Sequence, residues 1–123
     1  MSYNSKEEIE SAVSQAMSKF LKEQMGEETD AVTTEIIGDT IIVRIKGTLP
    51  PAERNMIKTQ EGIKLIRELK EKLVERAKPL LEALIKDLTN TKVIDIHSSL
   101  DVEAGECIEV FRLNKNLGML CRS

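Results

Sequence analysis

The chain contains one histidine, His97, and the residues around it are the first place to look for chemistry. Asp95 stands two residues earlier in a run that reads as a β-strand. On a strand that spacing puts both side chains on one face, about 7 Å apart. An imidazole beside a carboxylate can serve as a general base or as one arm of a metal site. The plainer reading is a half-exposed strand face that carries polar residues. Arg44, Glu53 and Arg54 form a second cluster. Arg44 leaves a strand that runs into a turn and a helix start at Glu53-Arg54, and a helix N-terminus can hold an anion. Equally, Arg44 and Glu53 can pair and pin that turn. Cys107 and Cys121 are isolated thiols, without CxxC spacing and without a base nearby in the sequence. The chain has no glycine-rich phosphate loop, no nucleophile elbow and no metal-binding cluster. Neither a catalytic group, nor a metal, nor a cofactor is therefore expected. Arg44, Glu53, Arg54 and His97 stand as candidate ligand or anion contacts.

The elements that must position these residues are organised around Thr48 to Asn90. Apolar side chains recur there at Ile63, Ile66, Leu69, Leu73, Ala77, Leu80, Leu81, Leu84, Ile85 and Leu88, the three-four spacing of an amphipathic helix. Pro51 suits a first helical position and Glu53 its first turn. Thr59 can cap a second helix. The pattern predicts a short helix over 51–58 and a long one over 60–89. Thirty residues span roughly 45 Å, whereas a compact chain of this length is only about 35 Å across. The helix must therefore bend, or a second subunit must cover its overhang. Pro79 removes a hydrogen bond and crowds the carbonyl of Glu75, which predicts a kink there at a cost of about 3 kcal/mol.

Upstream, Ser5 with Glu8 is a capping box. It opens a helix with Ile9, Val13, Ala16, Met17, Phe20 and Leu21 on its apolar face and Gly26 as its stop. Residues 31–37 and 40–46 read as strands joined by a Gly38-Asp39 hairpin turn. After the long helix, 91–98 is a third strand, with Val93, Asp95 and His97 on one face and Ile94 and Ile96 on the other. A polar loop over 99–106 leads to a fourth strand, 107–113, whose Cys107, Glu109 and Phe111 oppose Ile108 and Val110. The order α-β-β-α-α-β-β predicts an α+β fold. Its four-stranded, mainly antiparallel sheet has the helices on one face.

The chain has 123 residues and reads as a single domain over 1–123, with 1–5 frayed and 114–123 a tail in which Leu117, Met119 and Leu120 can dock. Its net charge is −3, which argues against general nucleic-acid binding. No apolar run is long enough to span a membrane. The polar start carries no signal peptide and the isolated thiols fit a reducing compartment, so a cytoplasmic location is expected. Charge is uneven: residues 5–30 carry three Lys against seven Asp or Glu, and 53–78 carry eight Lys or Arg against five Glu. These stretches can pack side by side, pair across a homodimer, or form solvated faces laced with pairs such as Glu68–Lys72.

Several pieces together resemble a small bacterial family, the MpsC-like proteins, long catalogued as a domain of unknown function. They are Arg44-x-x-Gly47-x-Leu49 with Ala52-Glu53-Arg54, then Gly62, then Arg76-x-x-Pro79-Leu80-x-Glu82. His97, Gly105-Glu106 and Val110-Phe111 close the pattern, and the likeness covers about residues 6–117. Where relatives tend to have Gly before the third strand, this chain has Asn90-Thr91, and Asn tolerates a left-handed turn. The resemblance implies a link to a Na+-translocating membrane-potential-generating or bicarbonate-uptake system. A chain without a spanning segment moves no ion across a bilayer by itself. It would be a non-enzymatic accessory or regulatory subunit, a homodimer attached to a membrane transport complex. A small-ligand or anion sensor built on Arg44, Glu53, Arg54 and His97 is the alternative.

Overall fold

Seven elements follow one another in a computed structural model that describes residues 5–47 and 49–117. They are α1 (Lys6–Met25), β1 (Ala31–Ile37), β2 (Thr40–Lys46), α2 (Pro51–Met56), α3 (Gln60–Thr89), β3 (Val93–Asp101) and β4 (Glu106–Leu113). The architecture is α+β, in the order the residue pattern predicts. Local chemistry sets the boundaries. The Ser5 hydroxyl accepts the Glu8 N–H at 3.2 Å and starts α1. Pro51 sits at the start of α2, and Thr59 accepts the Gly62 N–H at 3.0 Å to start α3. Asn90 ends α3 in the left-handed conformation, φ 54°, the role a glycine would otherwise fill.

The strands form one antiparallel sheet in the order β1-β2-β4-β3. The β1–β2 hairpin turns through Gly38, whose φ of 62° suits a tight turn. The connection through α2 and α3 carries the chain to the far edge, and β4 then returns to the middle beside β2. One face of the sheet is covered. Ile41, Val43 and Ile45 of β2 and Cys107, Phe111 and Leu113 of β4 pack there against Ile9, Val13, Met17 and Leu21 of α1. Ala77, Leu81 and Ile85 of α3 complete this core. Each fully buried large aliphatic side chain contributes about 1.5–3 kcal/mol. A smaller cluster of Leu49, Ile66 and Val102, with Ile57, Ile63 and Leu100 against it, ties α2 to the tip of the β3–β4 hairpin.

The structure corrects the expected pattern in three places. β3 runs on to Asp101, so Ser99 and Leu100 pair with Ile108 and Cys107 instead of lying in a loop. Val102 in the remaining turn is fully buried. A register shift between Val93 and Asp95 absorbs Ile94 as an extra residue. Val93 and Ile96 therefore both point into the core, while Ile94 is exposed. Finally, although α3 runs as one helix through Pro79 as the pattern predicts, its inner stripe is Gly62, Ile66, Lys70, Ala77, Leu81 and Ile85. Leu69 and Leu80, expected on that stripe, lie outside it at 45% and 53% exposure. In the C-terminal tail, Leu117 is buried against the core. Met119, Leu120 and Cys121 lie outside the described residues, as do residues 1–4.

Candidate functional site

Lys70 occupies a position on α3 that periodicity reserves for an apolar residue, and it is 5% exposed. Removing an ammonium from water costs several kcal/mol unless carboxylates meet it. Two do. The Lys70 ammonium donates to Glu27 Oε1, and its Nζ lies 3.1 Å from Glu53 Oε1. Glu27 is aimed inward by the end of α1, where its N–H donates to the Leu21 carbonyl at 3.0 Å just after the chain reverses at Gly26. Glu53 comes from the first turn of α2. Its Oε1 has a charge contact with Lys70 but no hydrogen-bond donor among the described residues. The cluster thus joins α1, α2 and α3 through charge.

A second polar group lies on the covered face of the sheet. Glu109 of β4 is 3% exposed. Its Oε2 accepts the Ser98 hydroxyl at 2.5 Å and its Oε1 accepts the Cys107 thiol at 3.3 Å. Burial pushes the Glu109 carboxyl above its usual range, and the Ser98 and Cys107 hydrogen bonds and the Lys78 charge only partly oppose it. Burial first, and the Glu109 charge second, push the Cys107 thiol far up. Cys107 is thus held as a thiol that donates to Glu109.

A cavity of about 290 Å³ opens between α1, α3 and the sheet. Met17, Phe20, Leu21, Val74, Ala77 and Leu81 supply its apolar wall. Glu27, Lys70, Ser98, Cys107 and Glu109 supply its polar end, and Arg67 and Glu71 also line it. Apolar walls with a few convergent polar groups are the usual make-up of a small-molecule site.

The shifted carboxyl makes stability pH-dependent. A folded-state value above the unfolded one contributes stability that is complete below the ordinary carboxylate range. That contribution is lost as pH rises through the folded value. Glu109→Gln stays neutral throughout, so its Tm should gain on the parent between pH 4 and pH 9. Thermal melts across that range check this. Parallel curves for the two proteins would remove Glu109 as the source.

The four residues singled out from the sequence lie in three places. Arg44 is on the open face of the sheet, 3.6 Å from Glu106 Oε1, so its partner is Glu106 rather than Glu53. Glu53 is turned to Lys70. Arg54 Nε donates to the Leu49 carbonyl at 3.1 Å and holds the entry to α2. His97 Nε2 is 2.7 Å from Asp95 Oδ2 on the open face, two strands from Arg44, a lateral distance of about 10 Å. None of the four lines the cavity between α1, α3 and the sheet, while Arg44 and Arg54 each line a separate, shallower surface pocket. Lys70, Glu27 and Glu109 were not among the sequence candidates. One signal was present: Glu109 alternates in phase with Cys107 and Phe111. Among the described residues no group of three or more His, Cys, Asp or Glu could hold a metal ion. No helix among them is long and apolar enough to cross a membrane.

Comparison with known proteins places the chain. A family model described as Na+-translocating membrane potential-generating system (MpsC) matches residues 5–115. The chain belongs to the MpsC family. A curated relative from Bacillus subtilis (strain 168), named uncharacterized protein YbcI, is 35% identical over 113 residues. The alignment covers 92% of this chain and 91% of that relative, so the family likeness takes in α1 through β4. No solved structure matches. The MpsC match includes the buried Glu27, Lys70 and Glu109 as well as Arg44, Glu53, Arg54 and His97.

Proposed function

We propose that this MpsC-family chain is a non-enzymatic accessory subunit of a Na+-translocating, membrane potential-generating system. In this reading it is cytoplasmic and works as a homodimer. The family description supplies the system. The observation that carries the mode of action is a second apolar stripe on α3. Leu65, Leu69 and Leu80 are 48%, 45% and 53% exposed. Leu73, partly buried, lies between them on the same side of the helix. The spacing 65, 69, 73, 80 follows the seam of a packed helix pair, beside the stripe already used against the core. With α3 about 45 Å long, a second copy of α3 laid along this seam covers the leucines of both chains. Half-exposed leucines gain about 25 cal/mol for each Å² they bury.

A sensor built on Arg44, Glu53, Arg54 and His97 has less support, because Glu53 is engaged by Lys70 and His97 lies on the opposite face of the sheet from the helices.

Light scattering and a crosslinked pulldown from membrane and soluble fractions test the proposal. The parent should have the mass of a dimer and recover membrane transport subunits. The Leu65→Glu/Leu69→Glu variant should have half that mass. A monomeric parent that recovers no membrane protein would sink the reading.

A further inference from the structure

We propose that the cavity between α1, α3 and the sheet is a binding site for a small organic cation, an ammonium group on an apolar body, whose charge docks on Glu109. This goes beyond the accessory role and does not depend on it. The geometry argues for it in three steps. The first is charge. Lys70 is the cation at the polar end and is already met by Glu27 and Glu53. An incoming anion would find that ammonium occupied and would face carboxylates around it. Along the cavity lining the carboxyl groups of Glu27, Glu71 and Glu109 outnumber the cations Lys70 and Arg67 by three to two.

The second step is hydrogen-bond capacity. Burial favours the neutral acid of Glu109, but an ammonium beside it favours the ionised form, and that carboxylate offers about four lone-pair sites. Glu109 uses one on Ser98 and one on Cys107, which leaves room for a donor from the cavity. An ammonium carries donors only, so it matches what is open. The same donor would be met by the Ser98 oxygen, since a hydroxyl also accepts.

The third step is the wall. Met17, Phe20 and Met25 come from α1. A phenyl face and polarizable thioethers favour a cation with an apolar body over a strongly hydrated ion. The volume, about 290 Å³, is at the lower end for small-molecule pockets. It suits a single-ring or short-chain amine rather than a nucleotide.

The test uses the full chain and three matched probes: phenethylamine, 3-phenylpropionate as an anionic counterpart, and 2-phenylethanol as a neutral one. Titration calorimetry gives affinities, and methyl-labelled methionine NMR reports on Met17 and Met25 in the unmodified protein. Phenethylamine should bind most tightly, move the Met17 and Met25 methyl signals, and raise Tm by about 4 °C at ten times its Kd. Glu109→Gln should weaken it at least about tenfold, the loss expected for one charge-assisted hydrogen bond. Ala77→Phe, which fills the cavity, should abolish binding. Circular dichroism shows whether each variant is folded. Preference for 3-phenylpropionate, equal binding of 2-phenylethanol, or an amine that leaves both methionine signals unmoved would each overturn the proposal.

Discussion

Lys70→Met should lower the melting temperature by on the order of 10–20 °C, the largest loss expected from a single polar-to-apolar change in this chain. Methionine keeps much of the volume of lysine and fits the apolar stripe of α3, so packing is not the main cost. The cost is electrostatic. Glu27 is 6% exposed, and its Oε1 is bonded to the ammonium that the substitution removes. Glu53 Oε1, which has no hydrogen-bond donor among the described residues, loses its counter-charge as well. Breaking a buried ion pair from one side costs about 3–5 kcal/mol, because a charge remains without compensation. In a chain of this size each kcal/mol corresponds to roughly 3–5 °C. The double variant Lys70→Met/Glu27→Gln should recover part of the loss, since residues in one network do not add independently. Lys72→Met, on the exposed side of α3 away from the core, should change little. A Lys70→Met protein that melts within a few degrees of the parent would show that water reaches the cluster.

Why Lys70 escaped the sequence is a matter of which stripe faces inward. The α3 segment has apolar residues at Leu65, Leu69, Leu73 and Leu80 and again at Ile66, Ala77, Leu81 and Ile85. A period of 3.6 says that both stripes are helical and adjacent. It does not say which one meets the sheet, because each stripe carries four apolar residues. Tertiary packing chose the stripe with a lysine in it and placed Glu27 and Glu53, distant in sequence, against that lysine. Glu109 was closer to legible, because strand alternation put it on the face of Cys107 and Phe111. The ends of α3 were readable from Thr59 and Asn90, and the first hairpin from Gly38-Asp39 and its alternation, whereas the second was read with a loop over 99–106 that the structure shortens. The bulge at Ile94 was not. One extra residue changes the phase of a strand, and nothing in the types of Val93, Ile94 and Asp95 marks it. His97 and Arg44 drew attention by residue type alone, and type does not say whether two side chains share a cavity.

Gly62→Ala should destabilise the chain by about 2–3 kcal/mol or more, although helix propensity by itself favours alanine by about 1 kcal/mol. The sign is reversed by a close approach of backbones. A Cβ on Gly62 would lie 1.6 Å from the Met56 carbonyl oxygen and 2.6 Å from its carbon. The obstacle is main chain, not the end of a flexible side chain that could swing away. The Gly62 N–H also donates to the Thr59 hydroxyl at 3.0 Å, which holds this turn of α3 where it is. Accommodating the methyl therefore means moving the end of α2. That movement would loosen Leu49 and Ile57 against Ile66, and would draw Glu53 away from Lys70, so the packing and the charge cluster would be disturbed together. Thermal melts of Gly62→Ala should fall by roughly 10 °C, while Glu61→Ala, next to it but exposed, should stay close to the parent. If Gly62→Ala melts at or above the parent, α2 does not lie this close to α3, and the contact between Glu53 and Lys70 loses its structural basis.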